Sequence, residues 1–175
     1  MLLLLALACG GPSTDSADTG PAADPWTPPG ETGPWDFGTE EFLMDAPTAG
    51  ERLPVQIWFP AASGDPEVDV NYDWLLHSDA LGDAIPDCKE PRPVVMFSHG
   101  SQGIRFQSVF LTEHWATRGT ITVAPDHIYN TFLDLNEQRE AELAFRRPLD
   151  LMDAYDWLLE KASNPEDPFY GCVDP

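Results

Sequence analysis

Two short apolar runs on either side of a helical stretch constrain this chain more than any other feature. Pro93–Ser98 (PVVMFS) is continuous and rich in β-branched residues, the look of a strand buried on both faces of a parallel sheet. His99-Gly-Ser-Gln-Gly103 breaks it. Phe106 to Arg118 then has helical spacing, with Phe106, Val109 and Phe110 on one side and Leu111 and Trp115 beside them. Gly119 stands where a helix usually ends. Thr120–Pro125 (TITVAP) is a second buried-strand candidate. Two parallel strands need a crossover, and a helix between them supplies it, so the segment predicts an α/β sheet.

The flanking segments extend this pattern. Phe37–Asp45 and Arg52–Pro60 predict an antiparallel pair around the turn material Pro47–Gly50, and Leu53, Val55, Ile57 and Phe59 alternate onto one face. Ala61–Arg92 is long and irregular, with Asn71–His77 as its one helix-like turn. Glu137–Arg146 predicts a helix, and Pro148 suits the first residue of another. Leu151, Tyr155, Leu158 and Ala162 would form that helix's apolar face, leaving Asp150, Asp153, Asp156 and Glu160 on a solvated one. The order β-β, then β-α-β-α, predicts a mixed sheet with flanking helices.

With 9 Lys plus Arg against 30 Asp plus Glu, the net charge is -21. Such a balance argues against nucleic acid, which needs clustered cations, and against charge-driven docking on anionic lipid. The N-terminus reads MLLLLALAC: Leu2–Ala8 has the size of a signal-peptide core, and Ala8-Cys9-Gly10 resembles the lipobox of bacterial lipoproteins. That resemblance implies cleavage before Cys9 and acylation of its thiol. An ordinary secretory signal cut near Ala8, or a start codon further upstream, are the other readings. Gly10–Asp36 holds five acids, six prolines and no Lys or Arg. It cannot bury enough apolar area to offset its ordering entropy and reads as an extended tether. Trp26 and Trp35 are unexpected there and could fold back or stay exposed. The organisation is therefore a signal over 1–8, a tether over 9–36, and a domain over 37–175.

Taken jointly, PVVMFSHGSQG, the following helix, WATRGTITVAPDH and Arg147-Pro-Leu-Asp150 resemble the N-terminal half of an α/β hydrolase. The likeness is to platelet-activating-factor acetylhydrolases, dienelactone hydrolases and cutinase-like polyester hydrolases. It implies a carboxylic-ester hydrolase acting on a small-molecule or lipid-like ester. The loop after Ser-His-Gly would supply one oxyanion-hole donor, the backbone N–H of Ser101, with His99 and Gly100 shaping the loop. A fixed N–H aimed at a tetrahedral oxyanion is worth about 3 kcal/mol. His99 would bond neighbouring loops rather than move protons. Arg147 and Asp150 would be a structural ion pair, and Asp126-His127, at the functional rim, would organise a loop or contact substrate.

The same families carry their nucleophile in Gly-x-Ser-x-Gly. Ser98 has Met96 two residues before it and Ser101 has His99, so neither fits. The resemblance thus implies a chain that stops short of its Ser-Asp-His triad and is inactive alone. The competing reading is a non-catalytic envelope lipoprotein module used for binding or scaffolding. With Cys9 assigned to lipid, Cys88 and Cys172 remain. In an exported protein of this family they would lie at one sheet edge and form a disulfide; two unpaired buried thiols are the alternative. His77, His114 and His127 show no metal-ligand spacing, and no cofactor is expected. The domain is expected to be a monomer, touching a membrane only through the N-terminal lipid.

Overall fold

A computed structural model describes residues 30–173; the expected signal, Cys9 and Trp26 lie outside them. The expected antiparallel pair is β1 (Phe37–Ala46) and β2 (Glu51–Asp65), in register from Phe37 opposite Pro60 to Ala46 opposite Glu51. Ala61–Arg92 is more regular than its composition suggested. Val70–Tyr72 (β3) and Leu76–Ser78 (β4) form a hairpin where a helical turn was expected, and Gly82–Pro86 (β5) pairs with the far half of β2 through a bulged register. The hairpin wins because Tyr72 is pulled inward. Its ring stacks on Phe106, and its hydroxyl accepts from Trp58 Nε1 (2.6 Å) and donates to Glu113 Oε1 (2.8 Å).

Val94–Met96 (β6), helix α1 (Val109–Thr117) and Ile121–Pro125 (β7) form the expected crossover, with β6 and β7 parallel. The sheet order is β1-β2-β7-β6. β7 is buried throughout, but β6 is not: it is half-buried and pairs with β7 alone among the described residues. The expectation of a strand buried on both faces is thus corrected to a border strand, because no described strand covers its outer edge. On α1, Phe110 is 76% exposed, and Thr112, Ala116 and Thr117 face inward instead. Gly119 ends the helix at φ +88, a backbone that a Cβ would strain.

Glu137–Arg139 is a single 3-10 turn running into one long helix, α2 (Glu140–Ser163). Pro148 therefore lies inside a helix rather than opening a second one. It cannot donate to the Ala144 carbonyl, a defect worth about 3 kcal/mol in an isolated helix. Here both halves of α2 are held by tertiary bonds: Arg146 and Arg147 before the proline's turn ends, Asp150 just after it. Asp150 and Asp153 are buried, not solvated; Asp153 accepts from the Thr48 N–H (3.0 Å) and hydroxyl (2.7 Å). Asp156 and Glu160 are exposed as expected.

Both faces of the sheet are covered. Leu53, Val55, Ile57 and Phe59 of β2 meet Ile121 and Val123 of β7 and Ala154, Leu158 and Ala162 of α2. Trp58 and Ala124 face the other way, onto Phe106 just before α1 and Ala116 within it. Cys88 and Cys172 are disulfide-bonded, with Cα atoms 4.3 Å apart, and the Arg92 N–H donates to the Cys172 carbonyl (2.7 Å). Part of the segment expected to be tether is docked: the Trp35 backbone N–H donates to the Thr117 carbonyl (3.1 Å), and Arg92 lies over the Trp35 ring.

Candidate functional site

The carboxyl ends of the parallel strands β6 and β7 point the same way, and their loops meet. After β6, the chain turns at Gly100–Gly103: the Gly103 N–H donates to the Gly100 carbonyl (2.9 Å), and Gln102 adopts φ +61. Gly103 is required there, since a Cβ would run into the Gln107 carboxamide and the Gly100 carbonyl. After β7, Asn130 receives the turn: its carbonyl accepts from the Gln102 N–H (2.9 Å), and its side chain donates to Ser101 Oγ (3.4 Å).

The three amides at the head of the turn differ. The Gly100 N–H is taken by Gln107 Oε1 (3.1 Å) and the Gln102 N–H by Asn130. Between them, the Ser101 N–H donates to no group among the described residues, and Ser101 is exposed. Beside it lies a cavity of about 160 Å³, lined by Ser101, Gln102, Asn130, Leu135, Asn136 and Leu143 among others. A larger cleft of about 550 Å³ between the end of β1 and α2 shares no residue with this turn.

His99 braces the turn from beneath. Its ring is completely buried; Nδ1 donates to the Gly100 carbonyl (2.7 Å), and Nε2 accepts from the His127 N–H (3.0 Å). Burial, the largest cause, lowers its pKa to about 4, so the ring is neutral over the physiological range. Asp126, beside His127, binds the Arg105 backbone N–H (2.5 Å) and guanidinium (2.7 Å). Burial pushes its carboxyl above the usual carboxylate value against the pull of Arg105.

One arrangement was not visible in the sequence. Ser98 Oγ lies 2.9 Å from His127 Nε2, and His127 Nδ1 lies 2.8 Å from Asp150 Oδ2. Hydroxyl, imidazole and carboxylate therefore run in series, with His127 and Asp150 both at 0% exposure. The expected Arg147–Asp150 ion pair is absent from the described contacts. Asp150 turns to His127 and, at 3.6 Å, to Arg146. Arg147 instead donates to Ser98 Oγ (2.8 Å), Asn130 Oδ1 (3.2 Å) and the His99 carbonyl. Three elements contribute to this series, and no local spacing announces it. Ser98 lines none of the described cavities, and its oxygen is capped by the guanidinium. No group of three His, Cys, Asp or Glu among the described residues is arranged to hold a metal ion.

A ferulic acid esterase from Streptomyces cinnamoneus is similar to this chain in structure, with a TM-score of 0.56 and 24% identity over 79% of the chain. The likeness is one of fold. It sets the mixed sheet and its helices on a plan shared with that protein, of which the chain spans about half the length (49%). No family model matches the sequence, and no curated protein matches it.

Proposed function

We propose that the chain is the front part of a carboxylic-ester hydrolase in which the Ser101 backbone N–H is one oxyanion-hole donor. The observation that carries this reading is the unengaged Ser101 amide, exposed beside a small cavity at the carboxyl end of β6, with both neighbouring amides already bonded. Ester cleavage passes through a tetrahedral carbon bearing an oxyanion, and a donor fixed before the reaction stabilises it without reorganisation. Nucleophile, base and acid come from sequence beyond residues 1–175, and Cys9 carries a lipid that holds the protein at the cell envelope. The likeness in fold to an esterase about twice as long supports the hydrolase part of this reading.

The test is to express the coding sequence extended past Pro175 and assay hydrolysis of p-nitrophenyl butyrate. Removing one such donor lowers kcat by about 10²–10³-fold. Ser101→Pro, which deletes the N–H, is therefore expected to do so with KM little changed, while Ser101→Ala keeps activity. Loss of turnover in Ser101→Ala would make the hydroxyl itself the reacting group and sink the assignment. No hydrolysis by the extended, folded protein would favour a non-catalytic envelope module.

A further inference from the structure

We infer that Arg147 is a positioning residue that clamps the turn on both sides of the Ser101 amide; the inference rests on the proposed role of that amide. One guanidinium reaches the His99 carbonyl, two residues before Ser101, and Asn130 Oδ1. Asn130 in turn holds the Gln102 N–H, one residue after Ser101, and Ser101 Oγ. The peptide carrying the free N–H is thus fixed at both ends, by Arg147 directly at His99 and by way of Asn130, whose side chain Arg147 holds, beyond Ser101. A guanidinium suits this because its donors form a rigid planar fork; an ammonium offers its three donors from a single atom on a flexible stem and spans less of the gap between the two loops.

The buried series explains how the clamp is itself held. Ser98 Oγ accepts from Arg147 (2.8 Å) and donates to His127 Nε2 (2.9 Å), whose Nδ1–H donates to Asp150 (2.8 Å). Arg147 and Asp150 are one turn apart on α2, so the guanidinium and the carboxylate grip the loops after β6 and β7 from one helix face. Ser98 here is a link in the clamp and not a nucleophile.

Amide hydrogen exchange in the 15N-labelled 175-residue chain tests this without needing activity. Arg147→Lys keeps the charge and loses the fork. It is expected to speed exchange at Gln102 and Gly103, the turn amides that have acceptors, by about tenfold while the core amides of Ile57 and Val123 hold within about twofold. Ser98→Ala removes one support of the guanidinium but leaves its bonds to His99 and Asn130, so it is expected to speed those turn amides by less than Arg147→Lys does, by no more than about threefold. Unchanged turn amides in Arg147→Lys, or acceleration spread evenly over the core, would overturn the inference and leave the Ser101 assignment standing. So would labelling of Ser98 by a fluorophosphonate, which would make that serine a nucleophile. Failure of the Ser101→Pro kinetics with a rigid turn would instead count against the oxyanion role alone.

Discussion

His99 is held neutral chiefly by burial, and the amide that faces Nε2 agrees with it. Nδ1 donates to Gly100 and Nε2 accepts from the His127 amide, so a second proton would set a donor against a donor. The folded-state pKa near 4 lies below the ordinary value of 6.5. As pH falls, the unfolded chain therefore takes up the proton first. The contribution of His99 is complete above about pH 6.5 and drains away down to about pH 4, on the order of 3 kcal/mol in all. Urea unfolding at pH 7.5, 5.5 and 4 should show this loss, and His99→Gln should flatten that part of the profile; parallel profiles would refute it. The turn itself was legible from sequence because Gly100 and Gly103 flank a short polar stretch after an apolar run. The Ser98–His127–Asp150 series was not, because its members sit 29 and 23 residues apart and meet only through tertiary packing. Asp150 and Asp153 were read as solvated on composition; two buried acids with bonded partners leave the same mark in a sequence as two exposed ones.

Periodicity located the elements well where burial was simple. β2 and β7 announce themselves by β-branched and aromatic residues that all end up inside. Pro148 misled because a proline at a helix start and a proline bridged by tertiary bonds look alike in sequence. Asn71–His77 misled because hairpin and helical turn share its composition until Tyr72 finds Trp58 and Phe106. The face of α2 is now specific enough to test. Leu158 is fully buried against the sheet, so Leu158→Ala is expected to cost about 2–5 kcal/mol. Met152, on the same helix, is 60% exposed, and Met152→Ala should stay within about 0.5 kcal/mol in denaturant titrations. Equal effects would mean that α2 packs by a different face.

For the molecule as a whole, the alternation of strands and helices fixed the layer order, while the position of β6 at the border depended on which strands are there to pair with it. The Cys88–Cys172 bond, which the family resemblance suggested, spans 84 residues and so encloses β6, α1, β7 and α2. Chain entropy alone gives such a ring about 4–5 kcal/mol. It also sorts the protein mechanically. A translocase or an optical trap tugging on the two termini can unravel only what lies outside the ring, starting with the β1–β5 side of the sheet. The enclosed portion transmits the load through its sulfur bond and stays unstretched. Adding a thiol reductant in a tweezers experiment should release roughly 280 Å of hidden contour length. An extension curve indifferent to the reductant would mean that the tension runs through those four elements after all.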